Sequence, residues 1–190
     1  MSTPADAVVL LSGGLDSAVA GALARSRGLR LHALTLGYGQ RHARELASAR
    51  RQARLLGCAS HQVLRLPLDK VATGALLTGP ASRLRTRKGA LPAAYVSFRN
   101  GVFLAFAFSM AEAMGAREVW GGWCETDQAG YPDCRPRFLR AMARAASLGT
   151  RQGSQGRGMA VRAPLTGWDK ARIVRAGVRL GVDFSATWTC

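Results

Sequence analysis

Two hydroxyls, two adjacent glycines and a carboxylate fall within six residues, Ser12-Gly13-Gly14-Leu15-Asp16-Ser17. Glycines let a chain turn tightly and bring backbone N–H groups close to a phosphate. Ser12 and Ser17 add hydroxyl donors. A helix beginning directly after such a turn adds partial positive charge at its N-terminus. These are the parts of a polyphosphate cradle, although the spacing fits neither the GxxxxGK[ST] loop nor the GxGxxG dinucleotide fingerprint. Asp16 is the odd member, because a carboxylate repels a polyanion. It makes sense there as a holder of Mg2+ bridging phosphates, or as the cap of the helix.

Other chemistry-bearing residues come in short clusters. Arg41 and His42 follow Tyr38-Gly39-Gln40, and Arg99-Asn100 opens an apolar stretch. Glu125 and Asp127 lie shortly before Tyr131-Pro132-Asp133-Cys134-Arg135, and Lys170 follows Asp169. Guanidinium groups suit phosphates or carboxylates, and carboxylates suit the N–H edge of a base. Each has a plainer reading. Tyr38 and Tyr131 can simply pack, His42 can be a surface histidine, and Asp133 can cap a helix starting near Pro136. Lys170 can be an exposed first-turn residue, and Cys124 and Cys134 small buried side chains.

The elements that must position these residues alternate. Val8–Leu11, Leu31–Leu36, His61–Leu66, Glu118–Trp123 and Ala160–Leu165 read as strands. Asp16–Arg27, Arg41–Leu56, Asn100–Met114, Pro136–Leu148 and a final stretch capped by Asp169 and running to Leu180 have helical spacing. Asn100–Met114 is apolar nearly all round and is expected to be wholly buried. Residues 69–95, with the basic cluster Arg83, Arg85, Arg87 and Lys88, read as a long loop over the site, and Gly149–Gly158 as a loop without core-forming residues. The pattern predicts an α/β fold of one domain, residues 1–190, with a doubly wound parallel sheet and helices on both faces. In such a sheet ligands bind beyond the carboxyl end of a strand at a helix N-terminus, which is where Ser12–Ser17 falls.

The chain has 190 residues, 48% of them hydrophobic, which excludes a disordered chain and leaves enough length for a sizeable core. No apolar run is long enough to span a bilayer and no basic leader precedes the first one, so no membrane partner and a cytoplasmic location are expected. Four cysteines at 58, 124, 134 and 190 form no CxxC pair. The net charge of +16 favours anionic partners such as nucleotides, or is the solvated surface of an arginine-rich chain.

The SGGxDS string resembles the pyrophosphate loop of the N-type ATP pyrophosphatases, whose fold is adenine nucleotide alpha hydrolase-like, that is, Rossmann-like. Together with Tyr38-Gly39-Gln40-Arg41-His42, Cys124-Glu125-Thr126-Asp127, Gly130–Arg135 and Thr187-Trp188-Thr189-Cys190, it resembles the QueC family of 7-cyano-7-deazaguanine synthases in queuosine biosynthesis. The resemblance implies an ATP-dependent carbon–nitrogen ligase. It would adenylate 7-carboxy-7-deazaguanine, aminate it with ammonia, and activate and dehydrate the amide to the nitrile, as a homodimer without need of nucleic acid. It implies ATP along Leu11, Ser12, Gly13, Gly14, Leu15, Asp16, Ser17, Ala18, Val19, Ala20 and Gly21. Asp16, Ser17, Arg99 and Lys170 would serve catalysis. Arg41, His42, Asn100, Glu125, Asp127, Tyr131, Asp133 and Arg135 would hold the substrate. A QueC-like paralogue acting on a related deazapurine and a tRNA-modifying pyrophosphatase are the alternatives.

The chain departs from the family pattern in three places. The family has a Zn2+ site of four cysteines; Cys190 matches the first, so the expectation is a chain truncated at the start of that cluster. Gly37 stands where an acidic residue precedes YGQRH. The family's VPGRN is here Val96-Ser97-Phe98-Arg99-Asn100, so Phe98 takes the glycine position.

Overall fold

The computed structural model describes residues 4–38, 43–72, 91–92 and 95–188. The basic cluster at 83–88 therefore lies outside the described residues, as do Arg41, His42 and Cys190. Among the described residues five parallel strands form one sheet: β1 (Asp6–Leu10), β2 (Arg30–Gly37), β3 (Ser60–Arg65), β4 (Glu118–Trp120) and β5 (Ala160–Arg162). Their order is β3-β2-β1-β4-β5. The chain winds outward in one direction from β1 to β3, then returns to the other side of β1. The crevice between β1 and β4 is thus the switch point at which open α/β sheets bind ligands.

Alternation along the strands assigns the two faces. Val8, Leu34, Leu36 and Val119 point to one side. There they meet Leu104, Ala107, Phe108 and Ala111 of α3 (Arg99–Ala113) and Leu139 of α5 (Pro136–Gly149). Ala7, Val9, Leu31, Ala33 and Trp120 point to the other. They meet Ala22 and Ala24 of α1 (Leu15–Ser26) and Ala49 and Ala53 of α2 (Ala43–Leu55). Ile173 and Ala176 of α7 (Lys170–Arg179) close this side against Val19 and Ala20 of α1. Each fully buried Leu or Val contributes about 1.5–3 kcal/mol relative to exposure, which is what pins the sheet register on both faces. No helix among the described residues is long and apolar enough to cross a membrane.

Several readings change, among them the strand expected over Ala160–Leu165, which ends at Arg162. The strand from Glu118 stops at Trp120, because Gly121-Gly122 passes against α1: a Cβ on Gly122 would lie 2.5 Å from the Asp16 carbonyl carbon. The stretch 125–130, unassigned from sequence, is a short helix, α4 (Glu125–Gly130). Helix α3 is not wholly buried, since Phe106 is on its exposed side. The segment 149–158 is not a plain loop. Thr150 caps a single helical turn, α6 (Arg151–Ser154), by accepting from Gly153 N at 3.2 Å. Gln152 is buried and its Nε2 donates to the Glu112 carbonyl at 3.2 Å. Gly153 serves close packing: a Cβ there would fall 1.8 Å from the Ser147 carbonyl oxygen.

Candidate active site at the switch point

The segment after β1 is a strained turn held from several sides. Gly13 has φ +89°, and a Cβ on it would sit 2.3 Å from the Glu45 carbonyl oxygen of α2. Only glycine fits both the conformation and the approach. The Gly13 carbonyl accepts from Gln52 Nε2 at 2.7 Å and from Trp188 N at 2.8 Å. Ser17 Oγ donates to the Gly14 carbonyl at 2.9 Å, accepts from Ser12 N at 3.2 Å and lies 3.2 Å from Ser12 Oγ. Gly14 N donates to Ser12 Oγ at 3.3 Å. Gly14 is the N-cap of α1 and has no side chain to cap it, so the helix's first N–H groups are available to an anion.

Asp16 does not cap α1. It stands in the first turn, and its Oδ2 accepts from Lys170 Nζ at 2.5 Å. Burial alone would lower the Lys170 pKa; the Asp16 carboxylate more than offsets this and raises it. Asp16 Oδ1 is buried without a hydrogen-bond partner among the described residues. Asp16, Cys124 and Asp127 place one ligand atom each within 4.8 Å of one another. Cys124 and Asp127 meet through the start of α4: Cys124 N and Sγ both donate to Asp127 Oδ2, at 3.2 and 3.3 Å.

The turn forms one wall of a cavity of about 310 Å3. Thr35 and Tyr38 from the end of β2, Arg99 and Phe103 from α3, and Trp123, Tyr131 and Trp188 complete it. Its size and mixed lining suit a small aromatic molecule with polar edges. Arg99 Nη1 donates to Tyr38 Oη at 2.8 Å. Burial opposes its charge, but Tyr38 and the nearby Asp133 carboxylate outweigh burial and raise its pKa, so Arg99 remains a cation in the wall. Burial likewise raises the Tyr131 pKa and keeps its phenol protonated.

The sequence-selected residues divide into three groups. Leu11, Ser12, Gly14, Asp16, Ser17, Arg99, Asn100, Asp127 and Tyr131 line the cavity. Gly13, Lys170 and Asp133 stand behind it. Asp133 is buried, and its Oδ2 accepts from Asn100 N at 2.9 Å; it thereby caps α3 rather than the helix at Pro136. Asn100 spends its side chain on Cys134 Sγ at 3.3 Å and Trp123 Nε1 at 3.2 Å. Leu15 and Ala18–Gly21 do not line the cavity; Val19 and Ala20 are core residues of α1. Glu125 is exposed on α4, and Arg135 donates to the Gln128 carbonyl at 3.3 Å, neither in the lining.

A family model described as "Queuosine biosynthesis protein QueC" matches residues 6–190. The chain belongs to the QueC family. It is 45% identical over 184 residues to the 7-cyano-7-deazaguanine synthase of Ectopseudomonas mendocina (strain ymp), covering 97% of this chain and 82% of that one. It is 46% identical over 185 residues, with the same coverage, to the enzyme of that name from Azotobacter vinelandii (strain DJ / ATCC BAA-1303). This QueC chain is thus an enzyme of queuosine biosynthesis. Among solved structures it is similar to a 4-thiouridine synthetase–RNA complex with bound ATP. The TM-score is 0.58 at 20% identity, with 96% of this chain and 42% of the other covered. It is also similar to the NMN synthetase of Francisella tularensis, with TM-score 0.57, 20% identity, and 96% and 64% covered. At those identities the shared property is the fold.

Sequence reasoning about this QueC chain missed Thr35, Glu45, Leu46, Phe103 and Trp188 as cavity residues. Thr35 carried a usable signal: it is the one hydroxyl in β2, and its Oγ1 donates to the Leu11 carbonyl at 2.8 Å, tying β2 to the segment that leads into the glycine turn. Trp188 belongs to the closing Thr187–Cys190 string; Glu45, Leu46 and Phe103 gave no local signal.

Proposed function

We propose that the chain is an ATP-dependent ligase that converts 7-carboxy-7-deazaguanine and ammonia to 7-cyano-7-deazaguanine in the cytoplasm. The observation that carries this reading is the glycine turn at the switch point opening on an aromatic-walled cavity that also holds the Arg99 cation. A carboxylate is a poor electrophile, because its leaving group would be oxide. Attack of the carboxylate oxygen on the α-phosphorus of ATP releases pyrophosphate and leaves an acyl adenylate. Ammonia then displaces AMP and gives the amide. The amide oxygen attacks the α-phosphorus of a second ATP, releasing a second pyrophosphate, and loss of AMP and the protons on nitrogen yields the nitrile.

The chain's residues divide this work. The backbone N–H groups of the turn and the start of α1, with Ser12 and Ser17, hold the β- and γ-phosphates. Lys170 adds positive charge beside them. Arg99 neutralises either the substrate carboxylate or the α-phosphate and orients it, which lowers the entropic part of the barrier. Trp123 and Tyr131 flank the base, with Asp127 at its N–H edge. Arg41 and His42 are further substrate contacts. The buried Asp16 Oδ1, without a hydrogen-bond partner among the described residues, is a fitting oxygen ligand for Mg2+. When bound, Mg2+ supplies charge neutralisation on the phosphates. Cys190 would supply one of the four ligands a structural zinc site needs.

The test is incubation of the purified chain with ATP, Mg2+, ammonium and 7-carboxy-7-deazaguanine, read by mass spectrometry. Nitrile and two AMP per nitrile are expected. ATP turnover that requires tRNA, or amide as the end product with no nitrile, would overturn the reading.

A further inference from the structure

Gln52 does not line the cavity but touches the glycine turn from behind. It lies on α2, is 2% exposed, and its Nε2 donates to the Gly13 carbonyl at 2.7 Å and to the Ala186 carbonyl at 3.4 Å. Two carbonyl acceptors on one side fix which end of the amide faces the turn. Its Oε1 is left buried with no hydrogen-bond partner among the described residues. An orphaned buried acceptor is unfavourable, so the side chain is not placed there for its own satisfaction. A leucine or methionine would fill the same space without that cost.

What Gln52 does follows from the peptide plane. The Gly13–Gly14 bond is trans, so the Gly14 N–H points opposite to the Gly13 carbonyl. With the carbonyl held on the α2 side by Gln52 and by Trp188 N at 2.8 Å, the Gly14 N–H is turned to the opposite side. There it meets Ser12 Oγ at 3.3 Å, and Ser12, Gly14 and Ser17 all line the cavity while Gly13 does not. Glycine on both sides of the bond leaves little local resistance to rotation of that plane. If it flipped, a carbonyl oxygen would face the phosphate in place of a donor.

We propose that Gln52 is a positioning residue that fixes the Gly13–Gly14 peptide with its N–H toward the nucleotide phosphates. Its second bond, to Ala186, makes the orientation of the turn depend on docking of the segment at 184–188. The inference rests on the reading of the turn as the phosphate site.

The test compares the wild type with Gln52→Met and Gln52→Glu. Methionine keeps the volume and removes both bonds. The carboxylate introduced by Gln52→Glu repels the Gly13 carbonyl, and in its protonated form donates to it again. Affinity for the α,β-methylene analogue of ATP with Mg2+ is measured by calorimetry at pH 8 and pH 6, together with KM for ATP and for the deazaguanine acid. Gln52→Met is expected to weaken analogue binding and raise KM for ATP by about 10-fold, with KM for the acid within about two-fold. Gln52→Glu is expected to weaken binding more than Gln52→Met at pH 8, and its deficit relative to wild type at the same pH to shrink at pH 6. A residue that only filled space would not show that pH-dependent recovery. Folded variants, verified by thermal melting, that bind the analogue as the wild type does would overturn the inference alone. So would equal losses in both KM values without recovery at pH 6. A wild type that binds no analogue would instead overturn the phosphate-site reading itself.

Discussion

The adjacent glycines 13 and 14 of the turn after β1 are expected to respond in opposite ways to the same added methyl. Gly13→Ala places a Cβ at φ +89°, which costs about 1–2 kcal/mol for a residue other than glycine. The same Cβ would lie 2.3 Å from the Glu45 carbonyl oxygen and 3.3 Å from Ala49 N, both backbone atoms of α2 that cannot swing aside. Forced overpacking of this kind costs about 1–3 kcal/mol more. Reduced freedom of the unfolded chain returns roughly 0.4–1 kcal/mol. The net loss is about 1–4.5 kcal/mol, and at about 2–4 °C per kcal/mol for a chain of this size the melting temperature should fall by roughly 2–18 °C, about 8 °C at mid-range. Gly14 has φ −83° and ψ 163°, and its Cβ would meet Ser12 Oγ at an ordinary 3.4 Å. Gly14→Ala should therefore melt within about 3 °C of wild type. Scanning calorimetry of the two variants decides the matter. If they melt together, or Gly14→Ala is the weaker, the turn does not have the conformation described, and the reasoning about its N–H groups goes with it.

Other perturbations give equally definite outcomes. Asp133→Ala removes the acceptor that caps Asn100 N and should cost about 1–2 kcal/mol in urea denaturation, so an unchanged midpoint would show that α3 does not depend on it. Burial pushes the Cys134 thiol up to about 12 and the Cys58 thiol up to about 11. Both should resist iodoacetamide at pH 8 in the folded protein and react in urea; peptide mass spectrometry showing rapid native labelling of Cys134 would contradict this. Hydrogen bonding from Arg30 foremost, and from His32, against some opposing burial, holds the Asp6 carboxyl near 2, below its usual 3.8. A depressed carboxylate stabilises the fold above the unfolded value and loses that contribution as pH falls through the folded one. The melting-temperature gap between wild type and Asp6→Asn should thus be steady above about pH 4 and close toward pH 2; a gap that widened on acidification would refute the assignment.

The order of strands and helices was legible because the two hydrophobic periods are local. Val8-Val9-Leu10-Leu11 and Leu31–Leu36 are apolar runs of strand length, and Leu46, Ala49 and Ala53 repeat at helical spacing. The turn after β1 was legible for the same reason, since its glycines and serines are contiguous. What was not legible depends on contacts between distant segments. Gly153 looks like a loop glycine and is a packing glycine against Ser147. Asp133 looks like a cap for the helix that follows it and caps one 33 residues earlier in the chain. Helix α4 was readable in hindsight: Cys124 and Asp127 have the spacing of a reciprocal N-terminal cap, with a thiol standing in for the usual hydroxyl.

Local preference and tertiary demand part company at Phe98. Among the described residues it is the one non-glycine with positive φ, at 53°, and it is 53% exposed. That conformation costs a side chain about 1–2 kcal/mol, which is why a glycine, as in the family pattern the chain otherwise resembles, fits the position without strain. Here the ring is held by an edge contact with Phe138 at 5.6 Å, worth about 0.5–1.5 kcal/mol. It also lies over Gly101, where a Cβ would be 2.3 Å from the Phe98 ring, so Gly101 and Phe98 must be accommodated together. The backbone at 98 sets the direction in which α3 begins. Arg99, the next residue, reaches Tyr38 across the cavity, and Asn100 N meets the buried Asp133. Both contacts would move if residue 98 relaxed to negative φ. The strain at Phe98 is therefore sustained by the site on its C-terminal side.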